Sequence, residues 1–475
     1  MTNSPMISFI VTLGPELFLL LFIAALFLVS ICRRETEKTE WIAWTSLVGV
    51  LIAFAGLGSQ GMFFADAYRV DGLSQFFKLA IAVGFCITVF NGKKLPGVEP
   101  FKRTDYYLML ALSTWGLMLL ASAVELMTMF IALEISSYSL YSLISLRKGD
   151  KPAAEAAIKY ILFGAAATAI SLFGLSFILA CAHTSYLGEL TGKISMDCPI
   201  AMIGTTMFLI SFFYKLALFP FHFWCPDVYT GATNETAAFV ATLPKLGAVV
   251  ALIRITNLVL PGVAMTDVLA ILAALSMTYG NLAALAQKDV KRILGYSGVA
   301  HAGYVLMGLV AGTASGLAAA AFYGLAYVFM NLTCFWVIAR ISPTGENLEL
   351  EDLSGMYKYA PAYALALAVG AFALVGMPPT MGFTGKLFLF TSLWGHGYDW
   401  LVILGAINTA FSIFYYLNLV RYAYTREAQS PRTIDLSPGA RLTALGLAGI
   451  VLVLGCIPSS VYQTALAATR SIWGV

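Results

Sequence analysis

The chain has 475 residues, of which 60% are hydrophobic and only 11% charged, with a mean hydropathy of +0.83 and a net charge of +3. Soluble domains carry about 25% charged residues, so a soluble enzyme is excluded. Apolar runs longer than the roughly ten-residue strands of a membrane β-barrel exclude that class too. An all-α polytopic membrane protein remains.

Hydropathy predicts about fourteen spans, each near the ~20 residues that cross ~30 Å of hydrocarbon. Met1–Pro5 holds no Lys or Arg, so a signal peptide's basic region is missing and the first span, 8–32, is expected to persist as a helix. Spans 41–58 and 72–91 complete a first block, about 8–91. Spans 105–123, 125–146, 153–181, 199–230 and 232–257 follow, then 264–287, 290–311, 314–340, 361–392 and 400–422, with a last span at 441–466. No loop is long enough for a soluble domain, so 1–475 is expected to be one membrane domain.

Basic residues test this map. With the N-terminus outside, the inner loops collect Arg33, Arg34, Lys38, Lys93, Lys94, Lys102, Arg103, Arg147, Lys148, Lys151, Lys288, Lys291, Arg292, Arg340, Lys358, Arg421, Arg426, Arg432 and Arg441, 19 of the 28. The outer side receives Arg69, Lys193, Arg254 and Arg470. This bias follows the positive-inside rule, and an even number of spans places both termini outside. The other five, Lys78, Lys159, Lys215, Lys245 and Lys386, fall within spans, and none is an arginine.

The seventh span carries Pro220 and Pro226, and the twelfth carries Pro378 and Pro379. Proline removes a backbone donor and breaks a helix, and broken backbone at membrane depth survives only in protein or beside a watered cavity. Lys215 precedes the first break and Lys386 follows the second. The two spans are five apart, an odd number, so two inverted five-helix repeats are expected, about 105–257 and 264–422.

Charges at mid-membrane depth cost at least ~2.5–3.5 kcal/mol, so they are rare, partnered and usually functional. Glu134 and Lys215 lie at similar depth and are expected to pair, either as a static tie or as a switchable one. Burial readily changes a lysine's pKa while arginine stays charged. Pro244 is expected to open the eighth span locally at Lys245. Lys386 is read as a proton carrier, a cap for carbonyls freed by the break, or both. His301 can relay protons or simply pack through hydrogen bonds, and His222 can act as a donor at its break. Lys159 reads equally as a lysine snorkelling to the interface, and Asp227 as a cap or loop anchor. Lys78, Asp71, Glu16 and Glu125, near span ends, read as structural. Tyrosine and tryptophan read as interfacial belts and packing, and the seven cysteines as small free hydrophobes. No haem, iron–sulfur, zinc, nucleotide or catalytic-triad motif is present.

Four stretches resemble one family: KLALFPFHFWCPDVYTGA (Lys215–Ala232), IALEISSYSL around Glu134, NLAALAQKDVKRILGYSGVAHAGY (Asn281–Tyr304) and GMPPTMGFTGK (Gly376–Lys386). They are similar to the antiporter-like membrane subunits of respiratory complex I, a family shared with Mrp cation/proton antiporters. Overall length and the lysine at 386 resemble the N-type subunits. The resemblance implies a proton path through Glu134, Lys215, Lys245, His301 and Lys386, running from cytoplasm to outside across a bacterial inner membrane. It implies neighbouring antiporter-like and small membrane subunits, with NAD, FMN, iron–sulfur clusters and quinone in partner subunits and none here, and no nucleic acid. An Mrp-type antiporter, or a ferredoxin-, F420H2- or hydrogenase-linked complex, is the alternative. One departure stands out: members often read GAP or GSP with a further proline after DVY, where this chain has Gly231–Ala232–Thr233–Asn234–Glu235. That loop is expected to be more flexible or to meet a partner differently.

Overall fold

The computed structural model describes residues 5–32, 39–148, 151–190, 193–194, 198–259, 263–425 and 434–470. Arg33, Arg34, Lys38, Arg426 and Arg432 lie outside the described residues. The first block holds α1 (Pro5–Thr12), α2 (Gly14–Ile31) and α3 (Glu40–Ala55), then an antiparallel hairpin of β1 (Gly61–Phe63) and β2 (Tyr68–Val70), then α4 (Gly72–Asn91). Next come α5 (Arg103–Ser122), α6 (Leu126–Ser145), α7 (Lys151–Ala182), the short α8 (Leu187–Leu190), α9 (Pro199–Leu216), α10 (Trp224–Gly231) and α11 (Asn234–Val259). The second half comprises α12 (Val263–Leu285), α13 (Val290–Val310), α14 (Ala314–Ile341), the short α15 (Met356–Tyr359), α16 (Pro361–Val375), α17 (Met381–Leu393) and α18 (Asp399–Thr425). The last helices are α19 (Pro438–Cys456) and α20 (Ser459–Arg470).

In hydrocarbon every backbone group must bond within its own segment, which leaves the helix as the element. Side-chain caps start several of them: Asp71 accepts from Ser74 N for α4, Glu125 from Met127 and Thr128 N for α6, and Asp289 from Arg292 N for α13. Among the described residues, eleven helices are long and apolar enough to cross a membrane. The apolar windows of α11 and α14 are wholly buried and form the core, whereas those of α2, α7 and α19 are only 33%, 33% and 22% buried and turn leucine and phenylalanine outward. Close approach rests on small residues: a Cβ on Gly174 of α7 would stand 2.5 Å from the Gly204 carbonyl of α9.

Both expected breaks are present. The seventh span ends as α9 at Ala217, in left-handed conformation at φ 60°, and resumes as α10. The twelfth ends as α16 at Gly376, with φ 89°, and resumes as α17 after Pro378 and Pro379. The eighth differs from expectation. Pro244 sits inside an unbroken α11, because full burial among neighbouring helices holds the backbone in register. Spans one and fourteen are each divided, at Leu13 and at Ile457–Pro458.

The loops sort to two ends. At one, Arg147 donates to the carbonyls of Thr230, Gly231 and Ala232, Lys94 pairs with Asp435, and Arg340 donates to Asn91. This is the basic end. At the other, Val124 bonds Ala67, Glu125 bridges Tyr186, and Arg254 reaches Ala121 and Asp71. The loop at 231–235 is thus packed and bonded rather than loose. Arg254, expected on the outer side, lies at that end but buried within α11, where bidentate bonds of 3.0 and 2.8 Å to Asp71 satisfy it. Cys181 and Cys198, expected free, are joined at the end opposite the basic one.

Candidate functional site

Lys215 occupies the last turn of α9, directly before the break. Its ammonium is buried, 3.4 Å from the Tyr160 hydroxyl, and faces the rings of Tyr160 and Tyr141 at 5.5 and 6.0 Å. Glu134 of α6 accepts instead from the Thr168 hydroxyl of α7 at 2.9 Å. The expected direct pair is therefore not formed: each charge lies in the other's field, but the tyrosines flank the lysine and Thr168 holds the carboxylate.

Lys245 projects from α11 beside Gly298 of α13. It donates to the Tyr327 hydroxyl at 3.3 Å and faces the rings of Tyr327 and Tyr229. Tyr327 also lies against His301, with ring centroids 5.2 Å apart. A small cavity is lined by Leu216, next to Lys215, and by Lys245, Gly298, His301 and Tyr327. His301 Nδ1 meets the Tyr323 hydroxyl at 2.7 Å, and Nε2 meets the Tyr416 hydroxyl at 3.1 Å. A neutral imidazole donates from one nitrogen and accepts at the other, and a phenol does both, so this trio can exchange roles in either direction.

Lys386, in the second turn of α17, donates to the carbonyl of Val375, the last residue of α16, at 2.9 Å. It reaches the Thr409 hydroxyl at 3.3 Å and sits 4.3 Å over the ring of Tyr304. Tyr304 bonds Thr409 at 2.9 Å and packs against both Tyr323 and His301. Lys386 thus caps a carbonyl freed by the break and also joins a polar row. From Lys245 through Tyr327, His301, Tyr323, Tyr304 and Thr409 to Lys386 the row is continuous in hydrogen bonds and ring contacts.

The remaining candidates divide. His222 is buried in the first break among Phe219, Phe223 and Tyr279, and its Nδ1 has no partner among the described residues. Lys159 and Asp227 stand outside the row: Lys159 pairs with Asp227 and Glu155 at 2.8 and 2.6 Å, and Asp227 also pairs with Arg292 at 2.8 Å. They form a partly exposed clamp between α7, α10 and α13, the anchoring role expected of Asp227.

The tyrosines around the lysines are the site residues that sequence reasoning missed. Read as belts and packing, they instead bury hydroxyls between the lysines. The available signal was spacing: Tyr323 and Tyr327 share a face of α14, and Tyr304 follows His301 by three on α13. Glu16 and Lys78, read as structural from their places near span ends, meet across α2 and α4. They form a buried ion pair in which Glu16 also accepts from the Tyr68 hydroxyl at 2.5 Å.

Residues 123–412 match the sequence profile of the NADH:quinone oxidoreductase/Mrp antiporter membrane family. The chain is 55% identical over 468 residues to NADH-quinone oxidoreductase subunit N 2 of Solidesulfovibrio magneticus, covering 98% of this chain and 99% of the relative. It is 42% identical to the subunit of the same name from Opitutus terrae, covering 94% and 95%. Among solved structures it resembles a chain of respiratory complex I from Thermus thermophilus with bound aureothin, at TM-score 0.83 and 33% identity over 94% of this chain and 98% of that one. The Mrp complex from Dietzia sp. shares the fold, at TM-score 0.85 and 18% identity over 97% of each chain.

Proposed function

The chain belongs to the NADH:quinone oxidoreductase/Mrp antiporter membrane family, and from that premise we propose that it is the N-type, proton-translocating membrane subunit of an NADH-quinone oxidoreductase. Full-length identity to subunits of that name favours this reading over an Mrp-type antiporter, for which the likeness is one of fold. Its partners are the other membrane subunits of the complex.

The observation that carries the mechanism is the buried row from Lys245 to Lys386, whose members meet hydroxyls and carbonyls rather than carboxylates. A proton enters from the basic end, which faces the cytoplasm of a bacterial inner membrane. It reaches Lys215 beside the first break, passes Lys245 and the His301–tyrosine trio, and leaves from Lys386 beside the second. The two broken spans belong to inverted halves, with Lys215 before the first break and Lys386 after the second. Glu134 gates the entry: drawing its carboxylate toward or away from Lys215 changes the stability of the ammonium. Moving one charge against 100 mV takes ~2.3 kcal/mol. That energy comes from partner subunits that hold NAD, FMN, iron–sulfur clusters and quinone, and this chain contributes no redox centre.

The test is Lys215→Ala and Glu134→Ala in the intact complex, reconstituted in proteoliposomes, with pumping followed by a pH-sensitive dye during NADH oxidation. Both variants are expected to lose pumping. Full pumping in both would sink the pathway.

A further inference from the structure

Apart from the lysine row, a set of buried polar groups lies at the basic end, where α10 passes into α11. Asn234 and Glu235 open α11 and are only 1% and 3% exposed. Among the described residues, neither carboxamide atom of Asn234 has a hydrogen-bond partner, and neither does Oε2 of Glu235. Glu235 lies in the fields of Lys291 from α13, Arg340 from α14, and Tyr106 and Tyr107 from α5. It forms no direct ion pair among the described residues. Lys291, fully buried, gives its ammonium to the Ala232 carbonyl at 3.0 Å, and Arg340 is engaged with Asn91 and Asp435.

A static charge pair does not account for this arrangement, because the cations bond elsewhere and three polar atoms remain orphaned. Native interiors satisfy such atoms with internal water. We propose that Asn234, Glu235 and Lys291 line a hydrated vestibule in which Glu235 takes up a proton from the aqueous phase and delivers it toward Lys245. The carboxylate accepts the proton from hydronium, releasing water, and becomes carboxylate again on handing it to the next water inward. Lys245 lies ten residues further along the same helix, ~15 Å at 1.5 Å per residue. Tyr229 of α10 supplies another unpartnered buried hydroxyl beside that lysine.

The inference rests on the lysine row being a proton path, and the experiment separates the two. Glu235→Gln, Glu235→Asp and Lys245→Ala are compared for NADH-driven pumping in the reconstituted complex. Asn234→Cys is challenged with a small charged thiol reagent from each side of the membrane. Glu235→Gln is expected to lose as much pumping as Lys245→Ala, Glu235→Asp to retain it, and Asn234→Cys to react from the basic-end side only. Wild-type pumping in Glu235→Gln beside a loss in Lys245→Ala overturns the loading site and leaves the row intact. Wild-type pumping in both overturns the row and this inference with it. Should Glu235→Gln fail to assemble, the thiol reaction decides: an unreactive Asn234→Cys means a dry junction and refutes the vestibule.

Discussion

Replacing Gly298 by alanine removes no titratable group, yet it strikes the row where it is narrowest. A Cβ at this position would lie 2.5 Å from Lys245 Nζ and 2.7 Å from the Tyr327 hydroxyl, both inside van der Waals contact. Each obstructed atom is the far end of a side chain, so the helices need not move, and the overpacking cost falls at the low end of ~1–3 kcal/mol. The ammonium and phenol must separate, which removes their 3.3 Å hydrogen bond. A bond to a charged group is worth ~1.5–3 kcal/mol. Lost from the transfer barrier, that slows passage by about 10- to 100-fold at ~1.4 kcal/mol per decade. The assay is NADH-driven acidification in proteoliposomes, with assembly checked by native electrophoresis and NADH oxidation by absorbance. Gly298→Ala is expected to assemble and to lose the pumping that Lys245→Ala loses. An assembled Gly298→Ala complex that pumps like wild type would show that protons do not cross the Lys245–Tyr327 contact.

Three further outcomes follow from the same geometry. His301→Phe strands the Tyr323 and Tyr416 hydroxyls, at ~1–3 kcal/mol each, and should abolish this subunit's pumping, with His301→Gln partly restoring it; equal pumping in Phe, Gln and wild type would remove His301 from the relay. Arg254→Gln breaks a buried pair at ~3–5 kcal/mol and should lower the melting temperature at neutral pH. Asp71 caps α4 just outside its span; burial pushes its pKa up, but Arg254 and the Ser74 amide overcome this and hold it below the ordinary value. The stabilisation is therefore complete above the unfolded-state pKa of about 3.9 and is lost as pH falls through the lower folded-state pKa, so the acid slope of melting should flatten in Arg254→Gln. Finally, a cysteine at exposed His183, opposite the basic end, should react with impermeant maleimide only from outside the cell, and labelling from the cytoplasm would invert the proposed orientation.

Much of this was legible because membranes penalise error heavily. Lys215, Lys245 and Lys386 stood out by cost alone, and the proline pairs located both broken helices. Other features depend on three-dimensional choices that spacing does not encode. Whether Glu134 touches Lys215 is decided by Thr168 and Tyr160 on a third helix and by Tyr141 on the helix of Glu134 itself. Tyrosine suits an interfacial belt and a buried relay equally well, so its position in sequence does not choose between them. Arg254 lies near a span end, where an exposed arginine and one folded back onto Asp71 look alike. Pro244 was read as a break, but the wholly buried α11 holds its helix through it. Glu235 falls at the very start of the eighth span, 232–257, where hydropathy cannot tell a buried acid from an exposed one, and only the packing of α11 against its neighbours buries it.

The chain holds two kinds of buried lysine, and their partners separate the roles. Lys78 is paired directly with Glu16, which Tyr68 also holds. The contact ties α2 to α4, and removing the Lys78 proton would leave the Glu16 carboxylate buried without its cation, at a cost of several kcal/mol. Lys215, Lys245 and Lys386 touch hydroxyls, ring faces and one carbonyl. Losing a proton there leaves a neutral amine among neutral groups and strands no anion in contact. A hydroxyl can follow the change by turning from acceptor to donor, which a carboxylate cannot do without itself being protonated. Glu134 is the exception that makes a gate possible: its carboxylate is near enough to Lys215 to act through its field, but it is held off by Thr168 rather than locked in contact. On the proposed path, a lysine row with no carboxylate in contact is what lets charge move, and Glu134 acts on it only through the field it sets at Lys215.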